Sequence, residues 1–148
     1  MVDTGTETDH PKLSNNLFGH EAAERLFLEA VNQDRIHHGW LITGPKGIGK
    51  ATFAWRIAKF LLSKKPQAAD ADQSGLFGET LPAAEHETLS LDEDDPTARR
   101  IEAGGHGGLL TVERSVNEST GKLRNDIVIN DVRKLSSFYS QTASEGGW

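Results

Sequence analysis

Seven consecutive residues, 44–50, have the types and spacing that a phosphate-binding loop requires. They fit the pattern G-x-x-x-x-G-K, and we call them the phosphate loop. Glycine lets the backbone curl until several N–H groups face one polyphosphate. A helix that begins beneath the phosphates adds its free N–H groups, and the Lys50 ammonium can reach the terminal phosphates. The predicted nucleotide-binding residues are Gly44, Pro45, Lys46, Gly47, Ile48, Gly49, Lys50, Ala51 and Thr52.

The residue after the loop lysine departs from this pattern. That position normally carries serine or threonine, whose hydroxyl binds Mg²⁺, but Ala51 stands here. Thr52 is turned roughly 100° further around the helix and cannot simply replace it. We therefore expect weak Mg²⁺ binding and weak phosphoryl transfer. The competing interpretation of the whole loop is a glycine-rich turn that holds no ligand.

An apolar strand that closes on an aspartate would complete such a site, and no segment fits this description well. Residues 127–131 come nearest, but Asn130 interrupts them, and either Asn130 or Asp131 is more typical of a helix cap. Residues 89–92 only alternate in polarity. The acidic run 92–95 is more typical of a solvated segment or a helix start than of a cation site. We predict no catalytic residue and no metal site.

Apolar periodicity predicts the elements that would position the loop. Residues 19–32 and 50–62 are predicted helices, and the apolar run 40–43 between them is a predicted buried strand. The predicted inner faces comprise Ala22, Ala23, Leu26, Phe27, Ala30 and Val31 in the first helix and Phe53, Ala54, Ile57, Ala58, Phe60 and Leu61 in the second.

The second half of the chain carries weaker signals of the same kind. One or two helical turns are predicted at 97–103, a second strand at 109–113, and an extended segment at 126–129. A third helix follows, capped by Asn130 or Asp131. Its predicted shared face consists of Val132, Leu135, Ser136 and Tyr139.

Composition narrows the function classes. The 148 residues are 36% apolar, which suits one modest globular unit with solvated stretches. They include neither a membrane-spanning run of about 20 apolar residues nor a secretory N-terminus. Zero cysteines exclude disulfides and a cysteine zinc site, and a net charge of −6 argues against strong nucleic-acid binding by this chain alone. We expect a cytoplasmic protein without a membrane partner.

Four segments, in this order and spacing, resemble the bacterial DNA polymerase III clamp-loader subunits of the AAA+ class, most of all the delta-prime type. They are residues 17–23, 37–45, 100–110 and 129–135. The resemblance implies an α/β fold of the P-loop NTPase type with three αβα layers. In that family the acidic strand would follow the last residues, so the resemblance implies that the chain stops after about two core strands.

The domain organisation follows from composition and from this resemblance. Residues 1–16 are predicted to be a disordered tail, and 17–63 to hold the first helix, the strand and the loop helix. Residues 64–95 are predicted to be an acidic low-complexity linker that replaces the family's zinc module. Residues 96–148 would continue the AAA+ core and end before its acidic strand.

The resemblance also implies a function. It implies a non-catalytic subunit of the DNA polymerase holoenzyme that helps to load the sliding clamp onto primed DNA, together with the other clamp-loader subunits. Its nucleotide site would be degenerate: ATP can bind, with Mg²⁺ weak or absent and without zinc. Leu17, Phe18 and Gly19 would lie on the adenine side.

Two other function classes stay open from the sequence. The chain could be an autonomous P-loop ATPase or small kinase, although Ala51 and the missing acidic strand disfavour this. It could also be a regulatory nucleotide sensor, which would bind tightly without turnover and without clamp-loader partners.

Overall fold

The computed structural model describes residues 10–14, 17–63, 85–92 and 94–140. The tail predicted for 1–16, the linker predicted for 64–95 and the last residues of the chain lie wholly or partly outside these ranges. The described part forms four helices, and its β pairing is limited to an isolated antiparallel bridge between Val116 and Leu123. The helices are α1 (Glu21–Asn32), α2 (Lys50–Ser63), α3 (Pro96–Glu102) and α4 (Ile129–Tyr139). None of them has the length and apolarity needed to cross a membrane.

Helix α1 confirms the first predicted helix, but it buries a different face. Phe27, Leu28 and Val31 are buried, whereas Leu26 is 62% exposed and Ala22 is exposed as well. The predicted inward position of Ala22 and Leu26 is therefore wrong. Helical periodicity fits a neighbouring face equally well, and the face that includes Leu28 is the one that joins the core cluster with Phe53 and Phe60.

Helix α1 ends where Asp34 adopts a left-handed conformation, with φ at 53°. The Arg35 N–H then reaches back to the Ala30 carbonyl at 2.8 Å, and the Asp34 N–H reaches the Val31 carbonyl at 3.1 Å. This pair of bonds is a Schellman motif, in which aspartate takes the place that glycine usually holds.

Helix α2 contributes the other half of the core. Phe53 and Phe60 are buried as predicted, while Ala54 is exposed, so its predicted place on the inner face is wrong. Ala54 has only a methyl group, and little apolar area is lost when it faces solvent. Thr52 and Lys59 are buried instead. The core cluster consists of Phe27, Leu28, Val31, Phe53, Phe60 and Leu89.

Leu89 belongs to the stretch that the sequence predicts to be solvated linker, yet it is only 2% exposed. Its N–H donates to Glu24 Oε1 at 2.7 Å, which ties it to α1. Asn32 makes a second tie, because its side-chain amide exchanges two hydrogen bonds of 3.0 and 2.9 Å with the backbone of His86. Leu89 and His86 thus attach the segment 85–92 to α1, although residues 85, 87, 88, 90 and 92 are exposed.

The two predicted strands are not formed in the described part of the chain. Leu41, at the centre of the run 40–43, is 89% exposed, and its neighbour Trp40 packs one ring against Phe27. Residues 109–113 also have no strand assignment. A strand exists only through a ladder of backbone bonds to a neighbour, and the described ranges bring no neighbour to either segment. The three-layer αβα arrangement therefore stays a prediction.

The later helices confirm one local prediction and correct another. Asp95 caps α3 by accepting a 2.7 Å hydrogen bond from the Ala98 N–H, with Pro96 at the first helical position. The acidic run therefore starts a helix, as its position before proline indicates. Helix α4 begins earlier than predicted, at Ile129, and no side chain caps it.

Two predictions for α4 are wrong, the side-chain cap and the apolar face. The predicted capping role of Asn130 or Asp131 is wrong because both lie inside the first turn, where Asp131 is buried. The predicted apolar face is wrong as well, since Val132 and Tyr139 are exposed. Leu135 of this face is half-buried, and the buried residue of the helix is Asp131.

Candidate nucleotide-binding site

The phosphate loop is a tight bend between the extended residues before it and the first turn of α2. Gly47 and Gly49 have φ values of 87° and 91°, which side chains rarely tolerate. Gly49 has a second reason to be glycine, because an added Cβ would lie 2.7 Å from Leu17 Cδ1. The glycine spacing therefore corresponds to the backbone shape that the sequence predicted.

Lys50, the first residue of α2, folds its side chain back across this bend. Its Nζ donates to the carbonyl oxygens of Gly44 and Pro45, at 2.9 and 2.5 Å. The ammonium group therefore faces the loop and does not extend into solvent. This is the placement from which a lysine can meet a phosphate bound in the bend.

The start of α2 presents backbone donors at the same place. The Phe53 N–H bonds the Gly49 carbonyl at 2.9 Å, which makes it the first N–H used within the helix. The N–H groups of Lys50, Ala51 and Thr52 precede it, and an α-helix offers them no internal acceptor. Donors, dipole and ammonium together fit a polyphosphate.

The start of α2 lacks the side-chain hydroxyl that holds Mg²⁺ in loops of this pattern. Ala51 is exposed at the helix start and carries no oxygen, while Thr52 is 9% exposed and sits in the protein interior. Within the described ranges, no group of three histidine, aspartate or glutamate side chains could hold a metal ion. Weak or absent Mg²⁺ binding at this site stays a prediction.

Asp131, considered above as an acidic strand end, is engaged elsewhere. Its Oδ1 accepts a 3.1 Å bond from Lys134, and Ser115 also hydrogen-bonds its side chain. The Ser115 bond, followed by Lys134, holds the pKa of the Asp131 carboxyl below its ordinary value. These partners come from α4 and the loop before it, which makes Asp131 a packing residue of that region.

Of the three residues predicted to lie on the adenine side, Leu17 packs against the phosphate loop. Leu17 is half-buried and packs at the α-carbon of Gly49, whereas Phe18 is 85% exposed and Gly19 is exposed. The structure thus brings Leu17 to the phosphate loop. Contacts of these residues with adenine stay a prediction.

His20 is a loop contact that the sequence analysis missed. Its Nε2 lies 2.6 Å from the Ile48 carbonyl oxygen, and its ring stacks on Phe53 with centroids 5.9 Å apart. The only signal available was its place beside Gly19 at the start of α1. A partner 28 residues away cannot be read from that position.

Comparison with known proteins places the chain in a family. A family model described as "DNA polymerase III, delta subunit" matches residues 19–148. Two relatives are named DNA polymerase III subunit gamma/tau. The one from Mycoplasma pneumoniae is 37% identical over 49 residues, and the one from Mycoplasma genitalium is 39% identical over 41 residues. These matches cover 33% and 28% of this chain.

The matched length differs greatly between the two kinds of comparison. The chain spans only 7% of the length of each gamma/tau relative, and no solved structure matches it significantly. The family model, in contrast, extends over nearly the whole chain and includes the phosphate loop, α1, α2 and α4. On that match, the chain belongs to the DNA polymerase III delta subunit family.

Proposed function

We propose that the chain acts in DNA replication as a clamp-loader subunit of the delta-prime type, with a nucleotide site that binds ATP but does not turn it over efficiently. The family match supports the replication role, and the gamma/tau names of its relatives support an assembly of DNA polymerase III subunits. The delta-prime assignment rests on the sequence resemblance and on the residue at position 51.

The proposal depends on one observation: the lysine of the site lies at the loop, whereas the magnesium ligand that normally follows it is missing. The Lys50 ammonium lies on the loop carbonyls of Gly44 and Pro45, where phosphates would meet it. The next residue, Ala51, lacks the hydroxyl that would hold Mg²⁺. Phosphoryl transfer depends on a metal that neutralises the developing charge, whereas binding also draws on the lysine and the backbone donors. Such a site favours binding over turnover.

The proposed partners are the other clamp-loader subunits, the sliding clamp and primed DNA, in the cytoplasm. The chain carries a net charge of −6, so it is a poor DNA-binding surface by itself. We therefore place its contribution in protein–protein assembly, with primed DNA bound by the complex as a whole.

The first experiment measures ATP binding by thermal stabilisation, with and without Mg²⁺. At ten times Kd, ATP should stabilise the protein by about 1.4 kcal/mol. Lys50→Ala should abolish most of this effect, whereas the exposed Lys122→Ala serves as a control of equal charge change. Equal stabilisation of the Lys50→Ala variant would exclude the loop as the binding site.

The second experiment measures turnover and assembly. The protein alone should release phosphate from ATP no faster than the Lys50→Ala variant, and it should join the other loader subunits in a complex that loads the clamp. Vigorous Mg²⁺-dependent turnover would contradict the proposal and favour an autonomous ATPase or small kinase. Tight ATP binding without any association with loader subunits would favour a nucleotide sensor.

A further inference from the structure

A hydrogen bond from His20 joins the start of α1 to the phosphate loop. Nε2 of His20 lies 2.6 Å from the carbonyl oxygen of Ile48, although the two residues are 28 positions apart. A carbonyl oxygen can only accept, so Nε2 must carry the proton in this contact. The tautomer of His20 is therefore set by the loop.

The imidazole ring is held in place on two sides. It stacks on Phe53 at 5.9 Å and an interplanar angle of 16°, and Phe53 is itself buried in the core cluster. The same nitrogen approaches Gly49, where an added Cβ would lie 3.5 Å away. The ring therefore lies between the first turn of α2 and the last residues of the loop.

This contact determines the direction of one loop amide. Ile48 and Gly49 share a planar peptide, in which the C=O and the N–H point to opposite sides. Because the Ile48 carbonyl points to His20, the Gly49 N–H points away from it. A bond to the carbonyl thus orients the neighbouring donor without consuming it.

We propose that His20 is a positioning residue of the phosphate loop, which holds the 48–49 peptide so that its N–H faces bound phosphate. The phosphate ligand in this inference rests on the proposed ATP-binding function. The effect of His20 on the shape of the loop does not. The His20 side chain does not cap α1, so its replacement leaves that helix end intact.

Three variants separate the parts of the contact. His20→Phe keeps a ring on Phe53 and removes the donor, whereas His20→Gln places an amide N–H near the position of Nε2. His38→Phe makes the same chemical change at an exposed histidine and serves as the control. Each variant is measured for ATP affinity, for deuterium exchange of the backbone amides in 44–50, and for thermal unfolding.

His20→Phe should weaken ATP binding about fivefold, the effect of losing one hydrogen bond. Its amides in 44–50 should exchange faster in the nucleotide-free protein, while exchange within α1 stays as in the wild type. His20→Gln should restore affinity to within about twofold of the wild type. His38→Phe should change neither ATP affinity nor amide exchange in 44–50. A His20→Phe variant with wild-type affinity and wild-type loop exchange would overturn the inference.

The exchange measurement keeps this inference separate from the proposed function. If the wild-type protein binds no ATP, or if Lys50→Ala binds it equally well, the proposed nucleotide site is wrong. Faster loop exchange in His20→Phe would still support the positioning role, because it needs no ligand. Unchanged loop exchange would reject it in that case too.

Discussion

The Nζ atom of Lys50 lies 2.9 Å from the carbonyl oxygen of Gly44, so the first residue of α2 closes the bend that leads into it. A second carbonyl, that of Pro45, accepts from the same ammonium group. Bonds between an ammonium and a phosphate are stronger than bonds to neutral carbonyls. A bound polyphosphate can therefore replace these two carbonyls as the partner of the lysine. Without phosphate, the two bonds hold the lysine across the bend.

The first prediction restores the missing hydroxyl. Ala51→Thr places an oxygen where Mg²⁺ is normally held, so Mg²⁺ should tighten ATP binding by this variant and have little effect on the wild type. Calorimetric titration with ATP, with and without Mg²⁺, measures the difference. Ala51→Val is the matched control, since valine has the shape of threonine and no hydroxyl. An equal Mg²⁺ effect in the valine and threonine variants would contradict the prediction.

Local signals in the sequence predicted the bounds of the first two helices well. The first two helices begin and end within two residues of their predicted bounds, because their apolar periodicity is sustained over three turns. The glycine spacing of 44–50 predicts the positive φ angles of Gly47 and Gly49, and the acidic run before Pro96 indicates the start of α3. Each of these features depends only on residues close in the sequence.

Features that depend on distant contacts could not be predicted. Leu89 stands in a polar stretch, and only its contact with the α1–α2 core makes it a buried residue. His20 bonds a carbonyl 28 residues away, and Lys59 is buried because Glu102 meets it from α3. The predicted strand 40–43 needs a pairing neighbour that periodicity cannot supply.

The second prediction concerns the buried lysine of α2. The Lys59 side chain is 7% exposed and its Nζ lies 2.5 Å from Glu102 Oε1, a residue that is 30% exposed. Glu102→Leu leaves a buried ammonium without its partner and should cost about 3 kcal/mol of unfolding free energy. Lys59→Met removes the buried charge itself and should cost less. Urea unfolding monitored by circular dichroism gives both values.

An exposed ion pair provides the control for this prediction. Arg99 pairs with Asp94 at the surface, and Arg99→Met should change the unfolding free energy by less than about 0.5 kcal/mol. If Glu102→Leu costs no more than Arg99→Met, the α2–α3 ion pair contributes nothing beyond a surface contact. A larger loss of unfolding free energy in Glu102→Leu than in Lys59→Met is the specific sign of a buried charge.

The third prediction tests whether the segment 85–92 belongs to the core. Leu89→Ala should lower the unfolding free energy by about 2–4 kcal/mol, because it opens a cavity beside the buried residues of α1 and α2. Leu123→Ala, at an exposed leucine, should stay within about 0.5 kcal/mol. Chemical denaturation measures both changes. Similarly small losses of unfolding free energy in the two variants would support the prediction that this segment is a linker.

The fourth prediction is a pH dependence that arises from Asp131. Hydrogen bonding from Ser115, followed by Lys134, lowers the pKa of this carboxyl from its ordinary value of 3.8. The folded protein therefore favours the charged form more than the unfolded chain does. The resulting stability is fully present above pH 3.8 and is lost as the pH falls through the lowered pKa of the folded state.

Urea unfolding of the wild type and of Asp131→Asn at pH 6, 4 and about 2.5 measures this contribution, since the amide cannot titrate. The wild type should be more stable than the variant at pH 6, and the difference should shrink below pH 4. Asp126→Asn, at an exposed aspartate, is the control. Ser115→Ala should move the carboxyl pKa back toward 3.8, which NMR titration of Asp131 can follow. A stability difference that stays constant with pH would show that the Asp131 carboxylate gains nothing from its partners on folding.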